Sequence, residues 1–138
     1  MDSVARTFIV NVDVPDLAAA ETFYTQAFGL RSGRRLGPGA LELLGGPTPL
    51  YLLQNDAGSA ATEDGDVRDY QRHWTPVHLD WVVADVDAAL ARAVAAGAAL
   101  ERPIRERRWG KIAVLSDPFG HGFCLIQFSD EGYDALVE

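Results

Sequence analysis

His78 and Asp80 stand two residues apart in the segment Val77-His78-Leu79-Asp80-Trp81-Val82-Val83-Ala84-Asp85. The alternation of side chains along a strand puts His78, Asp80 and Val82 on one face, and Leu79, Trp81 and Val83 on an apolar second face. A carboxylate beside an imidazole favours one tautomer and raises the ring's affinity for a proton, which is the chemistry of a general base. The catalytic candidates are therefore His78 and Asp80, with a third polar group expected from Tyr51, Asn11 or Cys124. The plainer reading of the same spacing is a hydrogen-bonded pair that lines a binding surface. A further combination adds His121, in the turn before the last strand, giving the residue types of a 2-His-1-carboxylate iron site. The chain has three histidines in all. Arg107, Arg108 and Trp109 form a second cluster that could clamp a carboxylate or stack on an aromatic ligand. A solvated strand edge, kept soluble by charge, accounts for them equally.

The elements that must position these groups come in two similar sets. Phe8 to Val14 reads as a strand that Pro15 ends, Asp16 as the N-cap of a helix, and Gly29 as its close. Three short apolar segments follow, separated by Gly37-Pro38-Gly39 and Gly45-Gly46-Pro47, the punctuation of an antiparallel meander. The second set opens at Val77, with Asp85 capping a helix from Val86 to Ala96 and Gly97 ending it. Ala99 to Arg105, Lys111 to Leu115 and Phe123 to Phe128 are its further strands. A shift of 69 residues carries Asp16 onto Asp85 and Ile9 onto His78, so the chain reads as a duplication of strand, helix and three strands. The expected organisation is one domain: a first βαβββ module over 5–55, an acidic linker over 56–76, a second module over 77–128, and a tail over 129–138. The linker carries one expected helical turn near Val67 to Arg72, then Tyr70, Arg72, His73 and Trp74. These four either reach over a ligand or pack the two halves together.

At 138 residues the chain can bury a core without staples. A net charge of −8 argues against a nucleic-acid partner. No apolar run is long enough to span a bilayer, and no secretory leader is evident. Cys124 is the single cysteine, so no internal disulfide can form, which fits a reducing cytoplasm.

Two βαβββ modules, the segment FYTQAFGL (Phe23 to Leu30), VHLDWVVADVDAALARAVAAGA (Val77 to Ala98) and SDPFGHGFCLIQF (Ser116 to Phe128) resemble the vicinal oxygen chelate superfamily. That superfamily includes glyoxalase I, extradiol dioxygenases, fosfomycin-modifying enzymes and bleomycin-resistance proteins. The resemblance implies an α+β fold whose mixed sheets curl into a cup around a small-molecule site, and a homodimer. The superfamily's metal ligands sit on the first and last strand of each module; here those places fall on Ile9, Tyr51, His78 and Cys124. Only His78 keeps the usual ligand type, and Ile9 cannot bind a metal at all. The first expectation is thus a binder of a small organic molecule without a cofactor, its cup lined by Tyr51, Trp74, His78, Asp80, Trp109 and Cys124. The alternative is a lyase, isomerase or dioxygenase using His78 with a divalent metal, held also by Cys124 or Asp80.

Overall fold

The structure is a computed structural model and describes residues 3–138. The chain divides after Asp69 into two compact units. The first contains β1 (Val10–Val14), α1 (Leu17–Phe28), β2 (Arg31–Arg35), β3 (Ala40–Leu44) and β4 (Leu50–Gln54). The second contains β5 (Leu79–Val82), α2 (Val86–Ala96), β6 (Ala99–Arg107), β7 (Gly110–Ser116) and β8 (Gly122–Phe128), then a 3₁₀ turn over Gly132–Leu136. Each unit is one four-stranded open sheet with one helix, in the orders β1-β4-β3-β2 and β5-β8-β7-β6. The first strand of each unit runs parallel to the last, while the other pairs are antiparallel. This is an α+β fold built from tandem βαβββ modules. Among the described residues, no helix is long and apolar enough to cross a membrane.

The same residues start both helices. The Oδ1 atom of Asp16 accepts from the Ala19 N–H at 3.0 Å, and Oδ1 of Asp85 accepts from the Ala88 N–H at 3.1 Å. A second acceptor arrives from the far end of each sheet. Oε1 of Gln54 takes the Leu17 N–H at 2.9 Å, and Oε1 of Gln127 takes the Val86 N–H, also at 2.9 Å. Two of the orphan donors at each helix start are thereby satisfied, one locally and one across the fold.

Alternation along the strands divides each sheet into two faces. In the first unit Val14, Leu41, Leu43, Leu50 and Leu52 are buried, together with Leu17, Ala20, Phe23, Tyr24 and Ala27 of α1. In the second, Ala113, Leu115 and Leu125 are buried with Val86 and Ala93 of α2. Burial of these apolar side chains is what holds each helix on its sheet, at about 25 cal/mol per Å² removed from water.

Several boundaries differ from the sequence expectation. The first strand begins at Val10 rather than Phe8, and β5 at Leu79 rather than Val77, so His78 immediately precedes its strand. The linker is not one segment: residues up to Asp69 belong to the first unit, and Tyr70 onward to the second. No helical turn forms at Val67 to Arg72; Val67 makes a bridge with Ala60 instead. Arg68 draws that stretch onto the first unit, its Nε donating to Oδ2 of Asp13 at 2.8 Å. The tail folds back in part, since its 3₁₀ turn sets Tyr133 against Phe128, ring centroids 4.8 Å apart.

Candidate functional site

The second unit gathers His78, Asp80 and Cys124 on the sheet face away from α2. Register explains this: Asp80 lies directly opposite Cys124 across the β5–β8 ladder, and Cys124 opposite Val114 across β8–β7. The spacing of His78 and Asp80 does bring them into contact, with Nε2 of His78 at 3.1 Å from Oδ1 of Asp80. Ligand-type atoms of all three residues lie within 4.8 Å of one another. The two polar side chains are each more than a third exposed (37% and 38%), whereas Cys124 is buried. Burial, with the nearby Asp80 charge and a hydrogen bond to that carboxylate adding to it, pushes the Cys124 thiol up to about 12. At neutral pH the sulfur therefore keeps its proton and donates it to Asp80.

Trp74 forms the wall of this site. Its ring meets the His78 imidazole edge to face, with centroids 5.0 Å apart and planes at 75°. Gly122 lets it sit there, because a Cβ at that position would come within 2.4 Å of the indole Cε2. The Arg72 guanidinium lies 5.0 Å from the centre of the Trp74 ring and also pairs with Glu101. That pairing holds the Glu101 carboxyl below its ordinary range, through the hydrogen bond from Arg72 first. These contacts tie Arg72 and Trp74 to their own unit, to Glu101, His78 and Gly122.

His121 is elsewhere. Its Nδ1 lies 3.1 Å from Nε2 of His73, and its backbone N–H donates to Oδ1 of Asp117 at 2.9 Å. The 2-His-1-carboxylate combination of His78, Asp80 and His121 is therefore corrected: the DPFGHG turn directs His121 toward His73, and Cys124 takes the third place beside Asp80. Trp109 also sits apart from the cluster. It packs on Phe128 and Tyr133, with centroids 6.2 and 5.3 Å away, while Nη2 of Arg108 donates to the Ala135 carbonyl at 2.6 Å. These residues hold the C-terminal turn.

The first unit has a polar cluster in the equivalent place. Tyr51 lies opposite Asn11 across β1–β4, as Cys124 lies opposite Asp80, and opposite Glu42 across β3–β4. The Tyr51 hydroxyl donates to Oε2 of Glu42 at 3.0 Å. Arg34 grips the same carboxylate with both arms of its fork, Nε to Oε1 at 3.0 Å and Nη2 to Oε2 at 2.7 Å. These hydrogen bonds, led by those from Arg34, hold the Glu42 carboxyl down at about 2, and Arg34 is correspondingly raised. Gly33 leaves the room, since a Cβ there would stand 2.7 Å from Oε1 of Glu42. Sequence reasoning missed Arg34 and Glu42, although a lone carboxylate within the strand Ala40-Leu41-Glu42-Leu43-Leu44 is a legible signal. Ile9, at the place that matches His78, is a half-exposed aliphatic side chain (53%).

Fold and site together define a tandem βαβββ protein with one polar cluster on each sheet. The family model described as a glyoxalase-like domain matches residues 9–126, and the chain belongs to that family, within the vicinal oxygen chelate superfamily. An uncharacterized protein of Mycobacterium bovis is 33% identical over 122 residues, covering 83% of this chain and 78% of the relative. Among solved structures, a glyoxalase-related enzyme from Fulvimarina pelagi superposes with a TM-score of 0.70 at 23% identity, over 90% of this chain and 88% of that one. TnmS3, an antibiotic binding protein from Streptomyces sp. CB03234, superposes with a TM-score of 0.64 at 26% identity, over 94% of this chain and all (100%) of that one.

Proposed function

We propose that this protein binds a small organic molecule on the sheet face away from the helix, without the four-ligand metal site of its superfamily. The observation that carries the reading is the state of the donors at the four family positions. Ile9 offers no donor, the Tyr51 hydroxyl is spent on Glu42, and the Cys124 thiol is protonated, leaving His78 alone. Such a set does not fit Mg, Mn or Fe(II), which need several oxygen and nitrogen ligands in an open geometry. The likeness to an antibiotic binding protein supports a small-molecule ligand. The reading includes a cytoplasmic homodimer. Light scattering on the eluted protein is expected to give twice the 15.0 kDa chain mass, and a single-chain mass would count against that part.

A second reading is favoured by one observation, the approach of His78, Asp80 and Cys124 to within 4.8 Å of each other. A zinc ion accepts such a mixed set once the thiol has lost its proton. In that case the protein is a metal-dependent enzyme acting on a small oxygenated substrate, with His78 and Asp80 in the catalytic centre.

A thermal-shift screen separates the two. Zn, Mn, Fe and Ni salts are expected to leave the melting temperature unchanged, and some member of a set of aromatic and cationic compounds to raise it. A ligand at a hundred times its Kd contributes about 2.7 kcal/mol of stability, a shift of several degrees. Stoichiometric zinc on the purified protein, lost in His78→Ala, would reverse the order of the readings.

A further inference from the structure

We propose that Arg102 and Arg105 form an anion subsite on the second sheet, taking the carboxylate or phosphate head of a ligand whose apolar body lies over Val114 and Ile112. The inference rests on the small-molecule reading above. It adds the charge of the ligand's head group, at the edge strand opposite to the one that carries Asp80.

Strand register puts the two arginines together. They are three residues apart, a spacing that regular alternation would divide between the two faces of a strand. The β6–β7 pairing shifts between them, so Arg102 lies opposite Val114 and Arg105 opposite Ile112. Val114 lies in turn opposite Cys124, and Ile112 opposite Ile126. Both arginines therefore stand on the face away from α2, in the rows that end at Asp80 and Val82 on β5. A second shift, between Leu100 and Arg102, separates residues that alternation would keep on one face. Leu100 lies opposite the buried Leu115 on the helix side, and Arg102 is turned away from it. Two bulges in one edge strand thus bring two guanidiniums to the same face, and re-aiming a side chain is what a bulge at an edge does. Pro103, which has no N–H to give a ladder, lies within the shift between the two arginines.

The two charges have no counter-charge. Among the described residues neither Arg102 nor Arg105 makes an ion pair or a side-chain hydrogen bond. The carboxylates around them are committed or distant. Glu101 is gripped by Arg72, and Arg102 adds only its field to that pair. Glu106 lies opposite Lys111, in the row of Gln127, on the helix side. Asp80 is three strand spacings away, about 14 Å at the backbone. In a chain of net charge −8, two exposed and unneutralised cations on one face are a local reversal of sign.

The surface beside them is apolar. Val114 and Ile112 are half-buried, while Cys124 and Ile126 beyond them are buried, so the accessible floor is the β7 pair. A guanidinium fork matches the oxygens of a carboxylate or phosphate, and an anion laid over this floor loses water on one side, which strengthens the pairing. The rival account is charge that keeps an edge strand from pairing, a role that either face would serve.

The probes are 2-naphthoate and 2-naphthyl phosphate, with neutral 2-naphthamide as the control of the same body, compared by titration calorimetry at about pH 7.5, where both anions are ionised. The native protein is expected to bind at least one anion about tenfold more tightly than the amide, the gain of a charge-assisted pair. The tighter of the two anions names the head group. In Arg102→Gln/Arg105→Gln that preference is expected to vanish with the amide's affinity unchanged. Arg35→Gln/Arg92→Gln removes the same charge elsewhere and is expected to keep it. Loss of the preference in this control, or its survival in the Arg102 and Arg105 double variant, would overturn the inference. Equal affinity of the native protein for all three compounds would overturn it too, and would leave the small-molecule reading standing. Binding of none of them would also overturn it, and a blank thermal-shift screen besides would remove the small-molecule reading as well.

Discussion

Glu42 shows how a single charged residue can be committed by its surroundings. It stands among leucines on β3 with its side chain only 7% exposed, and it survives there because Arg34 and Tyr51 satisfy both oxygens. A buried carboxylate without such partners would take up a proton. The folded carboxyl titrates near 2, below its ordinary 4.5, so the folded state releases this proton more readily than the unfolded chain does. The stabilisation is accordingly present above the unfolded value and is lost as pH falls from there through the folded one. Urea midpoints at about pH 5 and about pH 3 test this. The native protein is expected to lose more stability across that interval than Glu42→Gln, and an equal loss would show that the pair carries no linkage. Glu42 was legible in the strand pattern as an anomaly, but its partner was not. Arg34 meets it across β2 and β3, where the pairing shifts register between Ser32 and Arg35.

At the scale of elements, the two glutamines at the ends of β4 and β8 connect sheet to helix. Each donates no net charge and carries no chemistry, yet each closes an orphan N–H at the first residue of its helix. Gln54→Ala and Gln127→Ala are each expected to cost about 1 kcal/mol, a fall of roughly 3 to 5 °C in melting temperature. The double variant is expected to show the sum, since the two bonds share no partner. A change below half a degree in either single variant would mean that water replaces the amide. The aspartate caps were readable as sequence signals because an N-cap acts over three residues. The glutamine caps act over 37 and 41 residues, and only the βαβββ topology brings them to the helix.

At the scale of the whole molecule, the acidic stretch between the modules divides into a tethered part and an exposed one. Arg68 ties its end to Asp13, and the Ala60–Val67 bridge closes a loop whose tip carries Glu63 and Asp64, both exposed. Exposed polar loop tips are where proteases cut first. Limited digestion with a glutamate-specific protease is expected to nick after Glu63 before any other glutamate, as read by intact mass. Arg68→Ala is expected to accelerate that nick several-fold by freeing the bridge. Earlier cleavage at Glu101 or Glu106 would contradict the assignment.

The duplication, the two helices with their aspartate caps, the α+β class and the shared face of His78 and Asp80 all followed from the sequence. Each rests on interactions between near neighbours, whose periodicity and caps are local. What only the tertiary structure decided were the pairings between residues distant in the chain. Cys124 sits beside Asp80, His121 faces His73, Trp109 belongs to the C-terminal turn, and Glu42 has both its partners. Strand register and bulges set those meetings. A shift of one residue would turn every side chain to the other face, and the amino-acid pattern alone leaves that choice to the packing of the folded sheet.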